Sequence, residues 1–213
     1  MPGPARYLHP IRAFDPSRVP LPRSGTPAPR EGSGLLDIEV GCGVGLHPIR
    51  YGQAHPGRLL IAIEHTPSRF EAFHRRLAHH PEIRNVQAIQ ADAVSWITHC
   101  VRPSSVDRYF FLYPNPYPKR TDLNKRWHAM PFFSQVLRTL KPGGTLTLAT
   151  NEEFYFREAL DYLTGPWGMT LVQAREHSNP ESVEGPGGGA RTHFEKKYLM
   201  RGQVCRDLVV RKD

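Results

Sequence analysis

The sequence predicts one doubly wound α/β domain, with a mostly parallel sheet, helices on both faces and a late antiparallel strand pair. Three observations predict it. Short apolar runs alternate with segments of helical spacing, the pattern of strand–helix–strand units. The first of these runs stops in three alternate glycines, Gly41, Gly43 and Gly45, where a backbone without Cβ atoms lets a ligand come close. Acids then stand at three successive strand ends, Glu39, Glu64 and Asp92.

The elements follow in order. Leu35–Val40 is a short apolar strand that ends at the glycines, and residues 59–64 form a second. Ser68 and Glu71 have the spacing of a capping box, which predicts a helix opening at Ser68. Val86–Gln90 reads as the third strand and residues 109–113 as the fourth. Residues 131–140 have helical spacing and run into a Lys141-Pro142-Gly143-Gly144 turn. Residues 145–149 are the fifth strand and residues 152–163 a further helix. Residues 169–175 and 205–210 are the late strands, expected to pair antiparallel. The glycine-rich segment 182–191 between them is expected to be a mobile loop. Residues 1–34, with eight prolines and five arginines, are assigned to a tail that stays disordered or wraps a partner, and residues 35–213 to the domain.

Composition narrows the function classes. The chain has 213 residues, 39% of them hydrophobic, enough for one core. No apolar run approaches the ~18–20 residues of a membrane span, and no apolar stretch of signal-peptide type opens the chain. A cytoplasmic protein without membrane association is expected. Cys42, Cys100 and Cys205 lie far apart and read as reduced thiols, and the eleven histidines have no ligand spacing, so no metal site is expected. The net charge of +8 favours an anionic partner such as nucleic acid.

The glycine spacing is G-x-G-x-G with Leu46 following, whereas a dinucleotide turn has G-x-G-x-x-G. Glu39 before it would repel a pyrophosphate and attract a cationic amino-acid moiety. S-adenosylmethionine carries an ammonium and a sulfonium and no phosphate, so the charge pattern favours it as cofactor. Glu64 ends its strand where a carboxylate accepts from both ribose hydroxyls, and Asp92, followed by Ala93, where one accepts from the adenine amino group.

With these residues in place the chain resembles the bacterial, TrmB-like tRNA (guanine-N(7)-)-methyltransferase family, a class I methyltransferase group with a Rossmann-like fold. The resemblance spans roughly residues 35–211. Its carriers are Glu39-Val40-Gly41-Cys42-Gly43, Ile63-Glu64, Asp92-Ala93, Pro114-Asn115-Pro116-Tyr117-Pro118-Lys119, Asn124-Lys125-Arg126, Leu140 to Gly144, Ala149-Thr150-Asn151, Thr192-His193-Phe194-Glu195, Arg201-Gly202 and Asp207-Leu208. It implies that Glu39, Gly41, Gly43, Gly45, Glu64, Asp92, Ala93 and Asn115 hold the cofactor. It implies a catalytic position for Asn115, and target binding by Lys119, Asn151, Thr192, His193, Phe194 and Glu195.

The target pocket departs from the family pattern. The family's Pro-Asp-Pro-Trp is Pro114-Asn115-Pro116-Tyr117 here, its Ala-Thr-Asp ends in Asn151, and its Thr-Lys-Phe-Glu has His193 for the Lys. Methyl transfer to guanine N7 uses a free ring lone pair and needs no general base, so positioning supplies most of the acceleration. An amide at 115 offers one acceptor and two donors where a carboxylate accepts only. Three readings follow. The first is methylation of guanine N7 in tRNA, favoured by the basic segments 119–120 and 124–128. The second is methylation of a small nitrogen heterocycle, favoured by the neutral Asn115 and Asn151. The third is a non-catalytic RNA-binding module, disfavoured by the intact cofactor acids.

Overall fold

The structure, a computed structural model, describes residues 8–30, 34–183 and 188–213. Among the described residues, seven strands form one sheet: β1 Leu35–Val40, β2 Arg58–Glu64, β3 Val86–Gln90, β4 Val106–Leu112, β5 Leu140–Thr150, β6 Thr170–His177 and β7 Cys205–Arg211. The spatial order is β3-β2-β1-β4-β5-β7-β6. β1 to β5 pair parallel, and β7 enters antiparallel between β5 and β6. The expected late antiparallel pair is therefore β6–β7, and β7 also borders β5, antiparallel to it. Six α-helices among the described residues accompany the strands: α1 Leu46–Ala54, α2 Pro67–Ala78, α3 Ala93–Cys100, α4 Phe133–Thr139, α5 Glu153–Thr164 and α6 His193–Met200.

Strand side chains alternate between faces, so a strand covered on both sides is largely apolar, any buried charge in it being paired. Ile38, Ile61, Ile63, Tyr109 and Phe111 pack on one face against Trp96 and Ile97 of α3, Phe133 and Val136 of α4, and Tyr155 and Ala159 of α5. Their neighbours Leu60, Ala62, Phe110 and Leu112 pack on the other face with Ile49 and Tyr51 of α1 and Phe73 of α2. The central strands thereby lie rigidly between two layers, and their carboxyl ends are held side by side.

Four local expectations change. α2 starts at Pro67, and its cap Thr66 makes no side-chain capping bond, so the Ser68–Glu71 box does not form. Proline at the first helical position brings its own preset φ and has no N–H to satisfy. The Lys141–Gly144 segment is part of β5 rather than a turn: Gly143 N–H donates to the Lys212 carbonyl at 2.7 Å, and Lys212 N–H returns to the Gly144 carbonyl at 2.9 Å. The segment 182–191 is anchored where it is described. Val183, Ala190 and Arg191 are buried, and Arg50 donates to the Ala190 carbonyl at 2.6 Å. Residues 184–187 lie outside the described residues.

The fourth change concerns the tail, of which residues 1–7 and 31–33 lie outside the described residues. Residues 8–30 do not hang free; they run along the domain. Ser95 Oγ donates to the Pro20 carbonyl at 2.7 Å, Trp96 Nε1 to Pro27 at 2.9 Å and Gln87 Nε2 to Ala28 at 2.9 Å. Phe14 adds an edge contact with Phe132. Side chains of the domain thus satisfy carbonyls of a proline-rich segment that cannot join a sheet as a central strand.

One buried charge crosses β1 and β2. Asp37, fully buried, accepts from Arg58 Nε at 2.6 Å and Nη2 at 2.5 Å, and from the Tyr51 hydroxyl at 2.6 Å. Replacing Asp37 with Ala leaves the guanidinium and the hydroxyl without their acceptor, and breaking such a pair costs about 3 kcal/mol. Urea unfolding of Asp37→Ala should show a loss of that size; a midpoint equal to wild type refutes this account.

Candidate active site at the carboxyl ends of the strands

After β1 the chain makes the glycine turn, with Gly41, Gly43 and Gly45 at φ of +75°, +60° and +84°. Gly41 and Cys42 donate to the Ile63 carbonyl at 2.9 and 3.0 Å, which ties the turn to the end of β2. A Cβ on Gly41 or Gly43 would meet nothing within 4 Å, so both face open space. Gly45 differs: a Cβ there would fall 1.9 Å from the Phe73 ring. Grouped with the cofactor glycines in the sequence reading, Gly45 is set instead by close packing of α1 against α2.

Glu64 ends β2 nearly buried. Its Oε2 accepts from Gly43 N–H at 2.9 Å and its Oε1 from Thr66 N–H at 2.8 Å. Each oxygen has a second lone pair, so the carboxylate shapes the turn and keeps acceptor capacity. Asp92 caps α3, its Oδ1 accepting from Ser95 N–H at 2.8 Å. Ala93 is the first residue of that helix, and its side chain enters the core. Glu39 lies behind the turn, 2% exposed, with Oε2 2.8 Å from His47 Nδ1 of α1. Its contact is thus with the framework.

The other end of the site forms around β4 and β5. Tyr113, just past β4, and Tyr117 both have positive φ, +55° and +45°, a conformation that costs energy in residues with a Cβ. Asn115 between them is exposed, and its Oδ1 accepts from Tyr117 N–H at 3.2 Å. That bond occupies one lone pair of the amide oxygen and leaves the other, with both N–H donors, for a partner. Asn151 follows β5 and donates to Glu152 Oε1 at 3.0 Å. Lys119 is exposed.

Arg126 corrects the sequence reading of the basic segment. It is 4% exposed, pairs with both oxygens of Glu158 at 2.7 and 2.6 Å, and donates to the carbonyls of Tyr117, Pro118 and Lys119 at 2.9 to 3.3 Å. His128 Nε2 completes the cluster at 2.8 Å from Glu158. Arg126 is therefore the staple of the 114–119 loop, and the surface cations of this segment are Lys119, Arg120 and Lys125, the last paired with Asp122 at 2.9 Å. Trp127 packs against Phe111 and Phe132 as core.

Thr192 caps α6 by accepting from Glu195 N–H at 3.0 Å. His193 meets Arg76, which also donates to the Val44 carbonyl, so α6 starts beside the glycine turn. Phe194 is 44% exposed and stacks on Tyr198. Glu195, expected among the target-binding residues, is fully buried, and its contacts are internal. It takes hydrogen bonds from the Arg191 side chain and backbone and from the Tyr113 hydroxyl at 2.7 Å. Arg191 reaches Asp207 at 2.6 Å, and Asp207 meets His177 Nε2 at 3.0 Å. Arg126 read as part of a basic surface segment and Arg191 as the end of a mobile loop, yet both are buried. Tyr113 and Glu158 had no signal of their own, because each is defined by a partner distant in the chain, and Asp207 was marked by the resemblance without its role.

The family model Methyltransf_4, described as "Putative methyltransferase", matches residues 33–208. A tRNA (guanine-N(7)-)-methyltransferase of Nitrosospira multiformis is 29% identical over 176 residues, which are 82% of this chain and 73% of that protein. Proteins of the same name from Burkholderia pseudomallei and Streptomyces avermitilis are 28% identical; the match covers 82% of this chain but 63% and 59% of theirs. Among solved structures, the 16S rRNA methyltransferase KamB superposes with a TM-score of 0.62 at 20% identity, covering 84% of this chain and 88% of that one. Precorrin-6y C5,15-methyltransferase from Geobacter metallireducens gives 0.58 at 16% identity, covering 84% and 81%. At these identities the superpositions show a shared fold.

The buried ionic clusters make stability depend on pH with a definite sign. Burial holds the His128 ring below its ordinary value of 6.5. Burial pushes Glu195 and Glu158 up, but Arg191 and Tyr113 around the first, and His128 and Arg126 around the second, hold both below 4.5. In all three the folded protein binds protons less readily than the unfolded chain. Their contribution is complete above about pH 7, begins to fall as pH drops through about 6.5, and falls further below about 4.5. The urea midpoint should follow that course; a midpoint constant from about pH 7 to pH 4 contradicts it.

Proposed function

The chain belongs to the methyltransferase family whose model matches residues 33–208, and from that premise we propose that it methylates N7 of a guanine in tRNA, with S-adenosylmethionine as donor. The observation that carries the reading is the convergence at one sheet end of an open glycine turn, two acids with acceptor capacity left, and the 114–119 loop. The relatives named as tRNA (guanine-N(7)-)-methyltransferases support the substrate. A tRNA substrate puts the reaction in the cytoplasm.

The residues present fit the cofactor. Gly41 and Gly43 leave room for it beside the turn, Glu64 can accept from ribose hydroxyls, and Asp92 keeps Oδ2 for the adenine amino group. S-adenosylmethionine, when bound, supplies an electrophilic methyl group on a sulfonium. This chain's own residues then have to position and desolvate. Asn115 stands where it meets an edge of the target base. Phe194, exposed beside the turn, offers a ring on which a splayed base can stack. Lys119 and Arg120 project cations toward a phosphate backbone. Glu195 and Thr192 serve by fixing α6, and Arg126 by fixing the loop. No side chain has to remove a proton, because N7 carries its lone pair already.

Two measurements test this. Asn115→Asp keeps an acceptor for Tyr117 N–H and exchanges the amide donors for a second acceptor, which suits the N–H groups of guanine. The initial rate on tRNA at saturating cofactor should rise, by about three- to tenfold for one charge-assisted bond. A fall on tRNA with activity on small nitrogen heterocycles favours the retargeted reading, and no change means that residue 115 does not face the base.

Binding to tRNA should weaken as salt rises, since each neutralised phosphate releases counterions. Alanine at both Lys119 and Arg120 should flatten the log–log slope by about 1–2 units. Arg126→Ala should lower stability and leave the slope per folded molecule unchanged. Equal slopes for wild type and the Lys119, Arg120 double variant would remove the loop from the RNA interface.

A further inference from the structure

Residues 18–27 lie across a cavity of about 970 Å³ beyond the carboxyl end of β3. The domain side of this cavity is His65, Pro67 and Phe70 next to Glu64, with Ala91 and Asp92 at the end of β3. The opposite wall is the tail itself, with Val19, Leu21 and Arg23 among its residues. The tail segment is fixed at several points. Val19 and Pro20 carbonyls are held by His99 and Ser95, at 3.0 and 2.7 Å, and the Pro27 carbonyl by Trp96. Between them Thr26 N–H closes a turn on the Arg23 carbonyl at 3.0 Å, with Gly25 at φ +81°. The strap is thus built to a shape, yet Leu21 within it is 76% exposed. Leu21 joins Val19, Pro20, Pro67, Phe70 and Val94 in the lining, so the cavity presents a shared apolar surface of the kind that marks a ligand groove.

We infer that this strap is a wall of the nucleoside half of the cofactor pocket. The inference rests on the S-adenosylmethionine reading above. Adenosine is the occupant that the surroundings fit. Its flat apolar faces match Phe70, Pro67 and Leu21, and its amino group matches the free oxygen of Asp92. Its ribose lies toward Glu64, one residue before His65 in the lining. Cofactor binding and strap docking are then one coupled equilibrium. Each strengthens the other by the same factor, because linkage is reciprocal. The strap residues come from outside the strand–helix alternation, so the tail gives the site a specificity element that the sheet alone lacks.

The test uses the full chain with S-adenosylhomocysteine and adenosine in calorimetry, and trypsin cleavage after Arg18 and Arg23. Leu21→Ala removes an exposed side chain, so the fold stays intact. It should weaken S-adenosylhomocysteine about three- to tenfold and adenosine by the same factor, since the strap touches the nucleoside alone. Saturating S-adenosylhomocysteine should slow cleavage at both arginines in the wild-type chain. Absence of S-adenosylhomocysteine binding by wild type overturns the cofactor reading and this inference together. Normal wild-type binding with unaltered affinity in Leu21→Ala, and cleavage indifferent to ligand, overturns the strap alone.

Discussion

Arg191 is a buried cation held between two carboxylates, and the target side of the site is assembled around it. Glu195 of α6 and Asp207 of β7 share its guanidinium, Tyr113 at the end of β4 joins through Glu195, and His177 of β6 joins through Asp207. One cluster therefore fixes a helix, a strand end and two antiparallel strands relative to each other. Charges removed from water are costly unless every one of them is matched. The cluster tolerates little displacement for that reason, and α6 inherits its position beside the glycine turn from it.

The same economy holds on the other side. Glu64 fixes the glycine turn and the start of α2 through two backbone N–H groups, and it keeps acceptor capacity at the end of β2. Asp92 caps α3 and lines the adjoining cavity. Arg126 plays the matching part for the 114–119 loop, holding three consecutive carbonyls while Glu158 neutralises it. That support lets Tyr113 and Tyr117 persist at positive φ. A loop strained by a few kcal/mol stays in one conformation only when its surroundings hold it there, and a preset loop spares the ordering of a target pocket at the moment of binding.

Much of this was legible in the sequence. Parallel strands buried on both faces leave continuous apolar runs, so β1, β2 and β3 were placed nearly to the residue, whereas β4 starts three residues before its expected Tyr109 because Asp107 and Arg108 interrupt the apolar run. The glycine turn was visible because φ above zero restricts the choice of residue. Charged residues were legible in type and not in direction. Arg126 sits between Lys125 and Trp127 in a run that reads as a basic surface, yet its side chain turns inward to a glutamate 32 positions later. Glu195 looked like a pocket residue and is fully buried. The Ser68–Glu71 spacing looked like a cap, and Pro67 started the helix first.

By itself the sequence determined the class of fold, the turn, the acids at the strand ends and hence the family, because periodicity and backbone conformation are set by residues adjacent in the chain. The tertiary structure alone decided which charges are buried, which glycine serves packing rather than ligand approach, and where the proline-rich tail lies. Those outcomes depend on pairs such as Arg191 with Asp207, Gly45 with Phe73 and Pro20 with Ser95. The partners in each pair are brought together only when the sheet forms, and no local pattern in the chain encodes their meeting.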